Sequence, residues 1–463
     1  MKIQGYFLLV LVLIMSVNFS GCQKSAFTGD DAKLKLITLD PGHFHAALVQ
    51  KQMYRQISPN VSLYAPEGPD IEDHLGRIEG FNTRSDNPTS WVSSIYTGDD
   101  FLDRMLMDEP GSIVVLAGNN SAKTDYIYAA IKAGMNVLAD KPMVIFPEKF
   151  DLLVKSFEKA GKNDVLLYDI MTERHEVTTI LQKELSQVEG VFGTLKAGTP
   201  ENPAVTKESV HHFFKYVSGN PIKRPGWFFD PAQRGEALTD VSTHLVDLIQ
   251  WECYPEQIID YKNDIEMHDA RRWTTQITPG QFSRVTGLSS YPEYLAPYVD
   301  GGSLNVFSNG EMVYRIKDTW AKVSVLWEFQ APEGTGDTHY SIMQGTKSNL
   351  IIRQGPEENY KPTLYVESGG GENIEKQLRN AVAGNGRLQK MYPGLEIEKA
   401  GEKIWKVVIP DKYRVGHEAH FIQVTEKYLG YLKDGKLPAW EIPNMLAKYY
   451  TTTEALKKAG GSR

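Results

Sequence analysis

Runs of apolar residues that suit buried strands alternate with helical patterns from residue 34 to about residue 170. The apolar runs are 34–40, 61–64, 113–117, 137–139 and 165–168. Between two of them, residues 123–133 place apolar side chains at helical spacing and stop at Gly134. Strands that alternate with helices need right-handed crossovers, which produce a parallel sheet. The alternation therefore predicts a Rossmann-like, doubly wound α/β domain over residues 34–170.

The pattern changes after about Gly190, where strand-like runs dominate. Asn309-Gly310 stands between two such runs, which is typical of a hairpin. These features predict a mostly antiparallel open sheet with covering helices, and so a second, α+β domain over 171–463. Helices are expected at 235–252, 416–433 and 440–458, and residues 254–302 have the composition of a long insertion or lid.

Residues 1–22 have the form of an export signal. The apolar stretch from 6 to 17 is shorter than the roughly 20 residues that span a bilayer. It runs into Phe19-Ser20-Gly21-Cys22, which resembles a bacterial lipoprotein cleavage box with Cys22 as the lipidated residue. A simple signal peptide with an incidental cysteine is the alternative. Residues 23–33 are polar and predict a tether, and the absence of Asp after Cys22 favours an outer-membrane anchor.

Charge and cysteine content exclude one class of partner and one class of fold. The chain carries a formal net charge of −8 and has no block of Lys and Arg, so we expect no nucleic-acid binding. Its two cysteines, Cys22 and Cys253, exclude a disulfide framework.

The first candidate for a site is the turn from Asp40 to His45, which follows the first predicted strand. A dinucleotide-binding fold has a G-x-G-x-x-G turn here, because glycines let the backbone approach a pyrophosphate. Only the middle glycine, Gly42, is present, since Asp40 and His45 replace the other two. The turn equally suits two histidines that neighbours satisfy. His43 and His45 also form a His-x-His pair, a weak metal signal, and we expect no metal.

The second candidate is Asp140-Lys141-Pro142, directly after the predicted strand 137–139. Ligands of doubly wound folds bind at the carboxyl ends of strands, so Lys141 is placed to reach one. Pro142 restricts the backbone of Lys141 to an extended conformation, which would direct the residue out of the strand end. A surface lysine at a strand exit is the alternative.

The third candidate is the pair Asp240 and His244. Four residues apart, they share one face of a helix, where a carboxylate can orient an imidazole for proton transfer. An Asp that caps a helix and a buried His would give the same spacing.

Together these segments resemble the glucose–fructose oxidoreductase and inositol dehydrogenase (Gfo/Idh/MocA) family. Asp140-Lys141-Pro142 is similar to the family motif E-K-P, and residues 234–244 are loosely similar to G-G-x-L-x-D-x-G-x-H. Ala117-Gly118-Asn119-Asn120 stands where the family has a threonine-proline-asparagine segment. The resemblance covers most of 34–251 and the helix near 416–433, and the strand-rich end is more like lipoprotein oxidoreductases of glycan-degrading bacteria.

The resemblance implies roles for residues of both predicted domains. Lys141 would bridge a substrate hydroxyl and the nicotinamide ribose, Asp240 would polarise the substrate, and His244 would accept the hydroxyl proton. The implied cofactor contacts are Gly42, His43, Phe44, His45, Glu67, Asn119, Asn120, Asp140, Lys141 and Pro142. The implied substrate contacts are Arg174, His212 and Trp227, with Glu173 at the same strand end as Arg174. Glu67 is either a ribose ligand, which would favour NAD over NADP, or a solvated residue.

The resemblance also predicts what the protein does. It implies an NAD-dependent oxidoreductase that acts on a sugar or sugar derivative in polysaccharide degradation, with the NAD tightly bound because the chain is predicted to be exported. One alternative is a glycosidase or lyase that retains NAD and works through transient oxidation. Another is a non-catalytic, carbohydrate-binding lipoprotein. Expected partners are a carbohydrate, the membrane through the lipid anchor, and further copies of the chain in a dimer or tetramer.

Overall fold

The computed structural model describes residues 33–108, 110–217, 220–370, 373–382 and 386–460. The predicted signal at 1–22 with Cys22 lies outside these residues, as does the predicted tether apart from Lys33. Within the described part of the chain, no helix combines the length and the apolar character that crossing a membrane requires.

The amino-terminal part forms a six-stranded parallel sheet in the order β3-β2-β1-β4-β5-β6. Its strands are β1 (Leu34–Leu39), β2 (Ile57–Ala65), β3 (Val92–Thr97), β4 (Ile113–Leu116), β5 (Asn136–Asp140) and β6 (Leu167–Ile170). The chain winds outward from β1 to β3 and then returns to β4 on the other side of β1. Ligands of such sheets bind at this reversal, outside the carboxyl ends of β1 and β4. The predicted doubly wound sheet is confirmed.

The first of the α-helices in this part of the chain is short, and the last of them packs against the second sheet instead of this one. They are α1 (His45–Leu48), α2 (Pro69–Thr83), α3 (Phe101–Met105), α4 (Lys123–Lys132), α5 (Phe150–Asn163) and α6 (Val177–Ser186). Apolar residues at 44, 47, 48, 53 and 57 lie near helical spacing, but the helix ends at Leu48. The chain turns there, and the Gln50 carbonyl, which a longer helix would use internally, accepts a hydrogen bond from the Trp91 indole at 2.6 Å.

The carboxyl-terminal part forms a ten-stranded sheet in the order β10-β12-β13-β7-β14-β15-β16-β18-β17, with β11 paired to β12. Its strands are β7 (Val205–Phe214), β10 (Ile265–Ile277), β11 (Val299–Asp300), β12 (Ser303–Ile316), β13 (Thr319–Gln330), β14 (Thr338–Gln344), β15 (Ser348–Gln354), β16 (Thr363–Ser368), β17 (Glu396–Lys399) and β18 (Ile404–Val408). A separate hairpin pairs β8 (Tyr216–Val217) with β9 (Asn220–Pro221). Apart from the parallel pair β7–β13, the described strand pairs of the large sheet are antiparallel, which confirms the predicted fold class.

Two expectations for this region were wrong. Asn309 and Gly310 lie inside β12, and the chain reverses at Lys317, whose φ is +49°. Gly310 is needed for packing, because a Cβ there would stand 2.7 Å from the Leu238 side chain. The segment 254–302 is not a lid, since its strand β10 pairs along the length of β12.

The second part also contains a series of helices, the last two of which reach the core of the first sheet. They are α7 (Pro231–Arg234), α8 (Ser242–Cys253), α9 (Pro279–Thr286), α10 (Ile374–Val382), α11 (Arg387–Met391), α12 (His417–Asp434) and α13 (Glu441–Lys458). Short 3-10 turns cover Pro147–Lys149, Thr172–His175, Gly226–Phe229, Glu293–Tyr298, Pro356–Glu358 and Asp411–Tyr413. Phe421, Tyr428 and Tyr449 of α12 and α13 belong to the hydrophobic core of the first sheet. The end of the chain therefore packs back across the predicted boundary at residue 170.

Candidate active site

A lysine and an aspartate from the two parts of the chain meet at the carboxyl end of β5. Lys141 directly follows β5, and its Nζ donates a hydrogen bond of 2.6 Å to Oδ1 of Asp240. Asp240 lies in the turn that leads into α8, just before the helix on which the sequence placed it. Both side chains are about nine-tenths buried, with 11% and 10% exposed. The geometry therefore brings two of the three predicted catalytic residues into direct contact.

Arg234 holds the other oxygen of the same carboxylate. Its Nε donates to Oδ2 of Asp240 at 2.7 Å, and its guanidinium lies over the Phe228 and Trp327 rings at 3.9 and 4.4 Å. Burial by itself would raise the pKa of Asp240, but Lys141 and Arg234 together hold it far below its usual range. The sequence had suggested only that Arg234 replaces a motif glycine. The positive charge of Arg234, six residues before Asp240, could have indicated that the two side chains pair.

His244 stands on the first turn of α8, beside this pair. Its Nδ1 is buried and has no hydrogen-bond partner among the described residues. Burial, followed by the charge of Lys141, lowers the pKa of His244 well below its usual value. The imidazole is therefore neutral at physiological pH and has a nitrogen available to a ligand.

The predicted cofactor turn contributes a second group next to Lys141. Nδ1 of His45 lies 2.9 Å from Oδ2 of Asp140, and Nδ1 of His43 accepts a hydrogen bond of 3.2 Å from the His45 backbone. The Asp140 carbonyl accepts a 3.0 Å bond from the buried Lys123. Burial is the main cause that lowers the pKa of both histidines well below the usual value. Two neutral imidazoles and a carboxylate thus stand together at the ends of β1 and β5.

The turn itself is closely packed against the end of β4. The Gly42 amide donates to the Asp40 carbonyl at 2.9 Å, and the His43 amide donates to the Ala117 carbonyl at 3.1 Å. A Cβ on Gly118 would stand 2.3 Å from the Asp40 carbonyl oxygen, so a glycine is required there. A Cβ on Gly42 would stand 3.2 Å from a carboxylate oxygen of Asp70. The two turn amides are therefore used internally, and a carboxylate faces the turn.

The carboxylates beside the turn are partly withdrawn from water. Burial raises the pKa of Asp40, and it raises the pKa of Asp70 to about 6. The Trp227 indole lies beside Asp70 and opposes that rise. Trp227 is thus the one predicted substrate contact that the structure places at the edge of the site.

Two of the predicted cofactor contacts are hydrogen-bonded within the protein, and two others are exposed. The Asn119 side chain donates to the Gln233 side chain at 2.7 Å, and the Asn120 side chain donates to the Arg234 carbonyl at 2.6 Å. Both asparagines thus bond to α7, and their predicted cofactor contacts stay predictions. Glu67 is exposed beyond the end of β2. Phe44 is 38% exposed, and its ring lies 5.6 Å from the Arg77 guanidinium.

Arg174 was expected to contact substrate, and the structure places it in buried ion pairs, so its substrate role stays a prediction. It follows β6 and is buried, with two bonds of 2.6 Å to Asp247 and one of 3.0 Å to Glu441. Lys448 also donates to Asp247 at 2.8 Å. Arg174 therefore ties the end of β6 to α8 and α13, and it has little donor capacity left for a ligand.

His212 has a structural partner as well. Its Nδ1 lies 2.9 Å from Asp337 on the neighbouring part of the large sheet, and the side chain is nearly inaccessible. The same Asp337 also pairs with Lys215 and His211. Both adjacent histidines of β7 therefore contact this carboxylate, and the substrate role of His212 stays a prediction.

Glu173, which the sequence analysis placed only beside Arg174, has the stronger electrostatic signature. Burial, followed by the charge of Glu176, raises the pKa of Glu173 to about 7, and the nearby Lys141 opposes that rise. It lies three residues after the end of β6, in the short turn Thr172–His175. A carboxyl group that titrates near neutral pH beside Lys141 is a candidate for proton transfer.

Comparisons with known proteins agree with this architecture. The family model described as "Putative oxidoreductase C terminal domain" matches residues 181–460. A crystal structure of a "putative oxidoreductase" from Parabacteroides merdae is 54% identical, with a TM-score of 0.91, and covers 94% of this chain and 99% of that one. No protein of curated function matches the chain significantly.

Two ligand complexes of distant relatives share the fold. Levoglucosan dehydrogenase in complex with NADH and levoglucosan is 13% identical, with a TM-score of 0.56, and the match covers 92% of this chain and 97% of that one. GenD2 from gentamicin A biosynthesis in complex with NAD is 16% identical, with a TM-score of 0.54, and the match covers 93% and 95%. At these identities the likeness concerns the fold alone.

Proposed function

The chain belongs to the Gfo/Idh/MocA family of oxidoreductases, and on that premise we propose that it interconverts a hydroxyl group and a carbonyl group on a sugar or sugar derivative. One observation carries the proposal. The ammonium of Lys141, held 2.6 Å from Asp240, lies beside the buried and unpartnered imidazole nitrogen of His244. Such a group of side chains suits the removal of a proton from an oxygen that becomes a carbonyl.

Each residue has a distinct part in this proposal. Lys141 donates a hydrogen bond to the substrate oxygen and stabilises negative charge there. Asp240 stays ionised because Lys141 and Arg234 hold it, so it fixes the position of the ammonium. His244 is neutral and accepts the hydroxyl proton, and Glu173 provides a second group that titrates near neutral pH. Trp227 at the edge of the site offers a face for a sugar ring.

Nicotinamide adenine dinucleotide is the proposed partner in the oxidation, and when bound it supplies the acceptor for the hydride. The residues present suit the nicotinamide end of this cofactor better than its pyrophosphate. The nicotinamide end suits the strand ends around Lys141, and Glu67 stands where an acidic side chain favours NAD over NADP. The turn does not fit a pyrophosphate in the manner of a glycine-rich turn, because its Gly42 and His43 amides are already bonded and Asp70 faces it.

This altered turn favours a second candidate that uses the same side chains. A protein that does not exchange its dinucleotide could oxidise and reduce a sugar in one cycle, and so cleave a glycosidic bond without net oxidation. Both candidates suit polysaccharide degradation at an outer membrane to which Cys22 anchors the chain.

Nucleotide content and turnover together test the proposal. The purified full chain is denatured, and the released nucleotide is identified by mass spectrometry, while a second sample is titrated with NADH and followed by fluorescence. We expect one nicotinamide dinucleotide per chain, either released or bound on titration, and turnover on one member of a panel of sugars and disaccharides. Lys141→Met should abolish this turnover, and Lys149→Met, which removes an exposed lysine, should not. A chain that neither releases nor binds the dinucleotide contradicts the proposal.

A further inference from the structure

We propose that His43, His45 and Asp140 bind one divalent transition-metal ion next to Lys141. One ligand atom from each residue can be chosen so that all three lie within 4.8 Å of one another. Bonds from an ion to imidazole nitrogen and carboxylate oxygen are about 2.1 Å long, so one ion can reach all three after small side-chain shifts. The site involves the residues that replace the glycine-rich turn.

The distances within the cluster support an ion. Nδ1 of His45 and Oδ2 of Asp140 are 2.9 Å apart, so this contact would open by about 0.5 Å to reach the roughly 3.4 Å between neighbouring ligand atoms of a tetrahedral ion at such bond lengths. Nδ1 of His43 is engaged only by a long hydrogen bond of 3.2 Å from the His45 backbone, which an ion can displace at little cost. The ligand atoms therefore need little rearrangement.

The fold brings this donor set together from separate strand ends. The two histidines follow β1, and Asp140 ends β5, 95 residues after His45 and two strands away in the sheet. The His-x-His spacing was by itself a weak signal and supported an expectation of no metal. The third ligand became visible only in the tertiary structure. Two imidazoles and one carboxylate form a donor set that suits zinc, iron or manganese.

Neighbouring charges narrow the choice of ion. Lys123 bonds to the Asp140 carbonyl, and Lys141 is the next residue in the chain, so two ammonium groups flank the site. They weigh against magnesium or calcium, which proteins hold mainly through the charge of oxygen ligands. The affinity of an ion that is held through bonds to imidazole nitrogen depends less on this charge repulsion. We therefore expect zinc or cobalt to bind more tightly than magnesium or calcium.

Three protein ligands leave coordination positions open, as in catalytic zinc sites. Because Asp140 and Lys141 are adjacent, an oxygen ligand in such a position would lie in the proposed substrate site. The ligand class is a hydroxyl or carbonyl oxygen, and this last step alone rests on the proposed function. The turn that cradles a phosphate in a dinucleotide-binding fold would here present two imidazoles to an ion.

Metal binding is measured directly on the full chain. The protein is purified without a metal-affinity step, its metal content is determined by inductively coupled plasma mass spectrometry, and the metal-stripped protein is titrated with Co²⁺ and Zn²⁺. We expect one tightly bound ion per chain and a cobalt spectrum with nitrogen ligation. His45→Asn and Asp140→Asn should each weaken binding by at least about 100-fold, and His43→Asn/His45→Asn should abolish it. His268→Asn, in strand β10 of the other sheet, should leave binding unchanged.

Two outcomes overturn the inference. One is a wild-type chain that binds no stoichiometric Co²⁺ or Zn²⁺ at micromolar concentrations. The other is a folded His43→Asn/His45→Asn chain, shown by circular dichroism, that binds the ion as well as the wild type. The nucleotide assay is independent of both, so a chain that binds metal but no dinucleotide contradicts only the proposed function, and the converse result contradicts only the metal site.

Discussion

The ammonium of Lys141 lies 2.6 Å from a carboxylate oxygen of Asp240, 99 residues further along the chain. Lys141 directly follows β5 of the parallel sheet, and Asp240 lies in the turn that leads into α8 of the second part. The contact therefore joins the two sheets at the proposed site. Because Arg234 binds the other oxygen, one carboxylate orients two cations at the place where the substrate is expected.

Lys141→Met should reduce turnover by at least about 100-fold, because the substrate oxygen loses its buried cationic donor. The fold should persist, since methionine fills a similar volume. Turnover is measured on the sugar identified by the substrate panel, and circular dichroism reports the fold. Lys149→Met is the matched control, because Lys149 pairs with Asp125 at the surface. Equal losses in the two variants would remove Lys141 from the proposed mechanism.

Asp240→Asn should destabilise the protein by about 3–5 kcal/mol, because Lys141 and Arg234 would remain buried without their counter-charge. Urea unfolding at neutral pH measures this free energy. Asp125→Asn breaks an exposed pair and should cost less than about 1 kcal/mol. A chain as stable as the Asp125→Asn control would show that Asp240 does not hold the two cations.

Arg174→Met tests whether Arg174 acts through its ion pairs with Asp247 and Glu441. Removing it leaves Asp247 and Glu441 with less of their counter-charge, and we expect a loss of about 3–5 kcal/mol in unfolding free energy. The KM of the folded fraction for its substrate should not change. Arg271→Met, at an exposed pair with Glu311, serves as the control. If Arg174→Met raised KM and left stability intact, the original substrate role would be right.

Glu173→Gln should change how stability depends on pH. The folded-state pKa of Glu173 is raised by burial to about 7, above its ordinary value of 4.5. Between these values the folded chain holds a proton that the unfolded chain releases, so the wild type loses stability as pH rises through this interval. The variant should therefore be stabilised relative to the wild type at about pH 8, and the difference should shrink towards about pH 4.

Thermal unfolding of both chains across this range measures the effect. Glu158→Gln, an exposed glutamate of α5, should show no such trend. A Glu173→Gln chain that follows the wild type at every pH would show that Glu173 ionises normally.

Cys22→Ser should release the chain from the cell envelope, because the proposed lipid anchor needs the thiol. Membrane fractionation and labelling with a fatty acid measure the anchor. Cys253→Ser, which changes the cysteine at the end of α8, should leave the chain in the membrane fraction. An unlabelled wild-type chain would instead favour a simple signal peptide.

The main features of the fold could be predicted from residue patterns alone. Continuous apolar runs specify buried parallel strands because both faces of such strands are covered, and a ligand then belongs at their carboxyl ends. That rule placed Lys141 at the end of β5, where it contacts Asp240. The expectation of a hairpin turn at Asn309-Gly310 was wrong. The same dipeptide can form a turn or, as here, place a glycine inside a strand where it makes room for Leu238.

Local patterns established which residues stand at strand ends, and the packing of the two sheets decided which of them are available. Arg174 and Glu173 are neighbours in the chain. Arg174 is engaged in hydrogen bonds to α8 and α13, whereas burial raises the pKa of Glu173, near Lys141, to about 7. Asp140 joins His43 and His45 only because β1 and β5 end at the same edge. Ion pairs and ligand sets join residues far apart in the chain, and their distances depend on packing that no local pattern records.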